Sequence, residues 1–313
     1  RSVSRKSSIK SAIDCHLIPL LGALSADDLT ADEVDSLFIG EVQGRLSVGY
    51  IESIYGVLKG ALNQAKKLGR IESNPLSGSV FSDFIQEKPK EKPSRLSPIE
   101  VVGVVNVLSV ELSVERLLPL LMLLFGTRIT ETRRLRWGWI DWPLALLTIP
   151  SNETKNGVEI DIPLTAIAVQ ILREYQVSLS RSGALSVWVF PSPNRRGKPI
   201  GKTKAFELFR DVSNGRWSSH DLRKVARQIW TLQGVDYYVA ERLLNHSMSS
   251  LDRVYNRAEL IDKKREALEA YHSFLLSRGA SLMTETDTRR HQTFIMGQDQ
   301  AAQGLAVEHA ESY

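Results

Sequence analysis

Leu144-Ala-Leu-Leu-Thr-Ile-Pro150 and Val158-Glu-Ile-Asp-Ile-Pro-Leu164 are two short apolar runs separated by a stretch that includes Thr154-Lys155-Asn156-Gly157. Both runs read as β-strands. An Asn-Gly pair between two such runs is a strong hairpin signal. Outward from this point, almost everything else has helical spacing. The sequence therefore predicts a mainly α protein with a small antiparallel β-sheet (α+β).

Upstream, Leu117 to Phe125 is strongly apolar and reads as a buried helix. Ser97-Pro98-Ile99-Glu100 reads as a helix start, with serine as cap, proline first and glutamate third. Residues 86–98 carry three prolines among charges and cannot pack a core, so a linker is expected there. Before it, Thr30-Ala-Asp-Glu33 forms a possible capping box. Ile51, Ile54, Tyr55, Leu58, Ala61, Leu62 and Ala65 mark one long amphipathic helix, ended by Gly69. Downstream, helical patterns return at 166–177, 204–212, 221–233, 236–244 and 262–276.

Composition limits the function classes. The 313 residues are 42% hydrophobic and 24% charged, an ordinary globular mix of roughly two domains. No apolar run reaches the roughly 18–20 residues needed to cross a bilayer, and no signal-like segment opens the chain. The lone Cys15 can form neither an internal disulfide nor a cysteine-rich zinc site. A cytosolic setting fits. The chain opens on Arg1 rather than Met, as a fragment or processed form would. Net charge is +4, but the last 33 residues hold five acidic and two basic side chains, leaving about +7 on the rest. That is a weak pointer to a polyanionic partner.

Gly197-Lys-Pro-Ile-Gly201-Lys202-Thr203 has three residues between its glycines where a phosphate-binding loop needs four, so a surface turn is expected. Zinc-protease, Cys-x-x-Cys and nucleophile-elbow motifs are absent from the sequence.

The chemistry-bearing residues form an ordered set. Arg128 follows the glycine that ends the buried helix, and Glu131 lies three residues on, within reach of the same face. Ser219-His220-Asp221-Leu222-Arg223 opens a helix, with serine as cap and His220 and Arg223 on one face. Leu244-Asn245-His246 follows, and Tyr255 comes nine residues after His246. Each residue alone reads as ordinary packing or ion pairing. The order Arg, Lys, His-x-x-Arg, His, Tyr is far less expected by chance.

This set, Arg128, Lys155, His220-Asp-Leu-Arg223, Leu244-Asn-His246 and Tyr255, resembles the tyrosine recombinase (phage integrase) family over about residues 95–277. The N-terminal stretch, notably Ala61-Leu-Asn-Gln-Ala-Lys-Lys-Leu-Gly-Arg-Ile-Glu-Ser-Asn-Pro75, is similar to that family's helical core-binding domain. Two positions depart from the family pattern: Asn245 stands where glycine is usual, and Thr127 where a bulkier apolar residue often precedes the arginine. The resemblance implies a SAM-like DNA-binding domain over 1–85, a linker over 86–97, a catalytic domain over 98–280 and an acidic polar tail over 281–313.

It also implies a site-specific recombinase that cuts and rejoins DNA through a 3′-phosphotyrosine, without ATP, metal or other cofactor. Arg128 and Arg223 would grip the phosphate oxygens with permanently charged forks. His246 would donate a further hydrogen bond, Tyr255 would attack, and His220 would accept its proton. Lys155, on a mobile hairpin tip, is the implied general acid, and Glu131 would orient the basic cluster. The implied partners are double-stranded recombination sites, a homo-tetramer on DNA and accessory DNA-bending or directionality proteins, in the bacterial cytoplasm at the nucleoid. The apolar face of Leu268, Tyr271, Phe274, Leu275 and Leu276 fits either its own domain or a neighbouring protomer. Two rival readings are a type IB topoisomerase-like enzyme and a non-cleaving regulator on the same scaffold.

Overall fold

The computed structural model describes residues 3–89, 92–246 and 256–282. Tyr255 and the acidic tail from Met283 onward, with its Phe294-Ile295-Met296, lie outside them, whereas Leu282, at the start of that tail, is buried in the core. The chain divides into two compact units, Arg1–Pro93 and Ser94–Tyr313.

The first unit is helical. Helix α1 (Val3–Ala12) continues through a π turn over Ile13–Leu17 into Ile18–Leu21. Helix α2 (Ala31–Glu33) likewise runs on through a π turn over Val34–Ile39. The capping box expected at Thr30 forms: the Glu33 backbone N–H donates to Thr30 Oγ1, and the Thr30 N–H donates to Glu33 Oε2 at 2.7 Å. Helix α3 (Val48–Lys67) buries Ile51, Ile54, Tyr55, Leu58 and Leu62, the face its spacing predicts. These side chains close on Leu17, Leu21, Val34, Phe38 and Ile39 as one apolar core.

The second unit is built around α5 (Val114–Phe125), preceded by α4 (Val101–Leu108). Every residue of α5 from Leu117 to Phe125 is buried. A helix apolar on all sides must be covered on all sides, and α4, α8 (Lys202–Ser213), α9 (Ser219–Leu232) and α11 (Arg257–Ser277) all pack on it. Between them come α6 (Ile129–Thr132), the sheet, α7 (Ala166–Arg181) and, after α9, α10 (Tyr237–Leu243).

The sheet is antiparallel in the order β1 (Ile140–Asp141), β2 (Leu146–Ile149), β3 (Ile160–Pro163). Leu147 faces Ile162 and Ile149 faces Ile160 across β2 and β3. All four are buried, and α11 packs against β3. On the other face Thr148 Oγ1 donates to Asp161 Oδ1 at 2.9 Å. Of α11's apolar residues, Leu268, Tyr271 and Leu275 are buried in this unit's own core, while Leu276 is exposed.

Four details differ from the sequence reading. The short strand β1 has too few residues to show a period. Helix α4 starts at Val101, because Pro98–Glu100 form a turn closed by hydrogen bonds from Ser97 N and Oγ to Glu100 Oε2. The N-cap of α9 is Ser218, one residue before Ser219, because Asp221 sits three residues after Ser218 and completes a capping box with it. Arg95, placed in the linker by its composition, is built into the second unit: its backbone N–H and Nε both donate to Asp221.

Candidate active site

The site grows out of two backbone corners. The first is the end of α5. Gly126 has φ +64°, a left-handed conformation in which side chains are strained. A Cβ there would also stand 2.6 Å from the ring of Trp230 on α9. Glycine is thus required both by conformation and by space, and the chain turns sharply to present Arg128 at the N-cap of α6. Thr127 is buried and its hydroxyl lies 2.6 Å from that of Thr132, which accounts for a polar residue ahead of the arginine. Glu131, 1% exposed, accepts from the Arg128 backbone N–H at 3.0 Å and from its Nη1 at 2.9 Å. The expected Arg128–Glu131 pair is formed.

The second corner is the end of α10. Asn245 has φ +49°, and the His246 N–H returns to the Glu241 carbonyl at 3.0 Å. Asparagine is one of the few residues besides glycine that tolerate this conformation. The departure noted at this position therefore keeps the backbone turn that glycine would make. Two successive carbonyls of this corner hold the two arginines. Arg223 Nη2 donates to Leu244 O, and Arg128 Nη2 donates to Asn245 O at 3.3 Å. Arg223 Nη1 reaches back to Gly126 O, closing the two corners on each other.

Arg223 is 5% exposed, whereas the Arg128 side chain is 22% exposed. Burial, and then the like charge of Arg128, lower the Arg223 pKa to about 10, which still leaves it cationic at neutral pH. Each guanidinium has five N–H donors, and the bonds above engage only part of that set. His220 and Arg223 share the first turns of α9 but not their surroundings: His220 is exposed and Arg223 buried. Partial burial, then Lys224 and Arg223, push the His220 pKa below its ordinary value. Its imidazole is uncharged at neutral pH and can accept a proton.

His246 is oriented by a carboxylate the sequence reading did not single out. Its Nδ1 lies 2.5 Å from Glu241 Oε2, and Glu241 Oε1 accepts from Arg227 Nε at 2.8 Å. Burial pushes the Glu241 carboxyl up, but the bonds from Arg227 and His246 outweigh it and hold the pKa below normal. The available signal was spacing: Glu241 lies in the last turn of α10, five residues before His246. Asp221 is likewise buried yet low, at about 2. Burial would raise it, but bonds from Arg95 and Ser218 prevail.

Lys155 is exposed in the segment 150–159 between β2 and β3. A 3₁₀ turn over Ser151–Glu153 lengthens the loop, so Asn156-Gly157 does not close a two-residue hairpin. The tip is tied down rather than loose. Glu153 pairs with Arg134 at 2.7 Å, Glu159 pairs with Arg257 at 2.8 Å, and Asn156 bonds Asn245. The structure thus brings Arg128, Arg223, His246 and the Lys155-bearing loop to one turn and places Glu131 behind Arg128. Tyr255 falls between His246 and Arg257, outside the described residues, and Arg257 is itself fixed to Asp161 at 2.8 Å.

The second unit is mainly helical with a three-stranded sheet, and it holds two arginines at one histidine-bearing turn. Residues 100–260, more than half of the chain, match the phage integrase family, and the chain belongs to it. Among curated relatives, it is 25% identical over 299 residues to the prophage integrase IntZ of Escherichia coli K12, covering 86% of this chain and 66% of that one. It therefore spans slightly less than two thirds of that relative's length. Solved structures share the fold. A lambda integrase dimer bound to a COC′ core site is 17% identical, covers 84% of this chain and 73% of its own, and has a TM-score of 0.62. A lambda integrase tetramer bound to a Holliday junction gives 18%, 83%, 75% and 0.62. The Tn1549 transposon integrase in complex with transposon right end DNA gives 15%, 86%, 94% and 0.63. Among the described residues, no helix is long and apolar enough to cross a membrane.

Proposed function

We propose that this chain cleaves and rejoins DNA at a specific site. Tyr255 attacks a backbone phosphodiester, forming a P–O bond to its phenolic oxygen as the bond to the 5′ oxygen breaks. The products are a 3′-phosphotyrosine and a free 5′ hydroxyl. The observation that carries this reading is the anchoring of Arg128 and Arg223 on neighbouring carbonyls of the turn leading into His246. Fixed guanidiniums suit a phosphoryl transition state, whose charge spreads over non-bridging oxygens.

Uncharged His220 takes the phenol proton, His246, held by Glu241, donates to a phosphate oxygen, and the Lys155 ammonium protonates the departing 5′ oxygen. One phosphoester replaces another, so the bond energy is retained and neither ATP nor a metal is required. A second DNA 5′ hydroxyl reverses the step. The first unit binds the duplex as a core-binding domain, and four copies assemble on two sites; in support, a solved lambda integrase is a tetramer bound to a Holliday junction. Accessory DNA-bending or directionality proteins set the outcome of exchange at the nucleoid. Most of the affinity comes from phosphate contacts and falls steeply with salt.

The test is covalent trapping. The full chain is expressed with DNA of its source, the protein–DNA adducts are captured under denaturing conditions, and the attached DNA is sequenced. One recurrent attachment sequence, lost with Tyr255→Phe, is expected. Adducts scattered over all sequences would indicate topoisomerase-like action. Equal adduct with Tyr255→Phe, or none with wild type, would overturn the reading.

A further inference from the structure

The loop carrying Lys155 meets the Leu244–His246 turn through a pair of asparagines. Asn245 Nδ2 donates to Asn156 Oδ1 at 2.9 Å and to Val158 O at 3.1 Å. In return Asn156 Nδ2 donates to Asn245 O at 3.0 Å. That carbonyl is the one that also receives Arg128 Nη2. Asn245 is 2% exposed, while its neighbours across the clasp, Lys155 and Gly157, are exposed. The Glu153–Arg134 and Glu159–Arg257 ion pairs hold the two ends of the loop. Between those ends, the amide pair is what fixes the tip at the position next to Lys155.

A backbone turn alone does not require this arrangement. Glycine would supply the left-handed φ at 245 more easily than asparagine. The asparagine side chain adds what glycine lacks, a buried amide with its donors and its carbonyl directed at the loop. A bidentate amide pair also fixes orientation as well as distance, so it sets where residue 155 begins.

We propose that Asn245 and Asn156 are positioning residues for strand cleavage. Their clasp holds the Lys155 loop on the turn that anchors both arginines and thereby delivers the lysine ammonium to the leaving 5′ oxygen. The inference rests on the general-acid role of Lys155 stated above. In the step it serves, the P–O bond to Tyr255 forms and the P–O5′ bond breaks. The proton on Lys155 passes to O5′, and the phenol proton goes to His220.

The leaving group separates this role from a merely structural one. A 5′ alkoxide needs a proton to depart, whereas a 5′ thiolate is a far weaker base and does not, thiols ionising near 8.5. Two nicked duplexes carrying the trapped attachment sequence are compared, identical except for oxygen or sulfur at the scissile bridging position. The full-length protein is used with Asn156→Ala, Asn245→Gly and Lys155→Ala, each checked for a cooperative melt. If Asn245→Gly fails to fold, Asn156→Ala on the loop carries the test.

On oxygen, Lys155→Ala is expected to slow single-turnover cleavage by about a hundredfold or more, the usual scale of general-acid catalysis. The asparagine variants are expected to lose roughly tenfold to a hundredfold, because the acid is present but misplaced. Combining Asn156→Ala with Lys155→Ala should add nothing to the lysine loss. On sulfur, all variants should return to within about threefold of wild type, because the proton is no longer needed. The clasp proposal is overturned if the asparagine variants cleave the oxygen substrate at the wild-type rate. It is equally overturned if their defect persists on sulfur while that of Lys155→Ala disappears. If Lys155→Ala itself is not rescued by sulfur, the general-acid assignment is what fails, and the clasp loses its role with it.

Discussion

Arg223 and Lys155 are cations assigned to the same phosphate, and the protein holds them in opposite ways. Arg223 is buried between α5 and the end of α10, with two backbone carbonyls accepting from its guanidinium. Lys155 stands exposed on a ten-residue loop that is held, among the described residues, through its neighbours. A group that must stabilise transition-state charge gains from a fixed position in a dry site. A group that must hand over a proton needs freedom to approach the leaving atom. The difference predicts that changes on the buried side affect folding and chemistry together, and changes at the tip affect chemistry alone.

The largest expected effect is that of Arg223→Ala. It leaves the Gly126 and Leu244 carbonyls without their donor and opens a cavity, costing about 3–5 kcal/mol of stability. Cleavage should fall at least a thousandfold, roughly the upper range for removing one oxyanion donor. Urea melts and single-turnover adduct assays read the two effects.

The buried side also predicts an acid sensitivity. His272 on α11 is 2% exposed, with Nδ1 at Thr165 Oγ1 and Nε2 at Leu124 O. Burial lowers its pKa to about 4. The unfolded histidine takes up a proton below about 6.5 and the folded one only near 4. Its contribution is therefore complete above pH 6.5 and is lost as pH falls toward 4, by about 3 kcal/mol in total. Denaturant midpoints measured across that window should show the decline, and His272→Gln should flatten it.

Gly126→Ala combines a left-handed φ with a methyl group 2.6 Å from Trp230. About 2–3 kcal/mol of destabilisation is expected, read from thermal melts. A Trp230→Leu partner change would relieve the steric share and leave the conformational one. The smallest effect on folding is that of Lys155→Ala, within about 0.5 kcal/mol, since the side chain is exposed. If Lys155→Ala destabilised the fold as much as Gly126→Ala, the contrast between the two regions would be broken.

How much of this was legible in the sequence follows the same division. The α5 helix was readable because an unbroken apolar run permits few alternatives. The face of α3 was readable from its spacing, and the Arg128–Glu131 pair from a three-residue separation on a fixed corner. What escaped the sequence reading was tertiary. Glu241 meets His246 only because the chain returns at the end of α10. Asn156 meets Asn245 across 89 positions, and no local period records that pairing. The Asn156-Gly157 pair was read as a tight turn, yet its asparagine amide is used for the clasp and only the glycine takes the left-handed conformation, φ +71°. The cap at Ser218 was missed by one residue, because Ser219 is equally suitable in type and only the position of Asp221 decides between them.

The central claim is that the two anchored guanidiniums serve a single phenol, that of Tyr255. The direct measurement is mass spectrometry of the trapped adduct after nuclease and protease digestion. The account predicts one nucleotide-bearing peptide, modified on Tyr255 through a 3′ phosphate. A nucleotide on any other side chain, or a 5′ linkage on Tyr255, would contradict it.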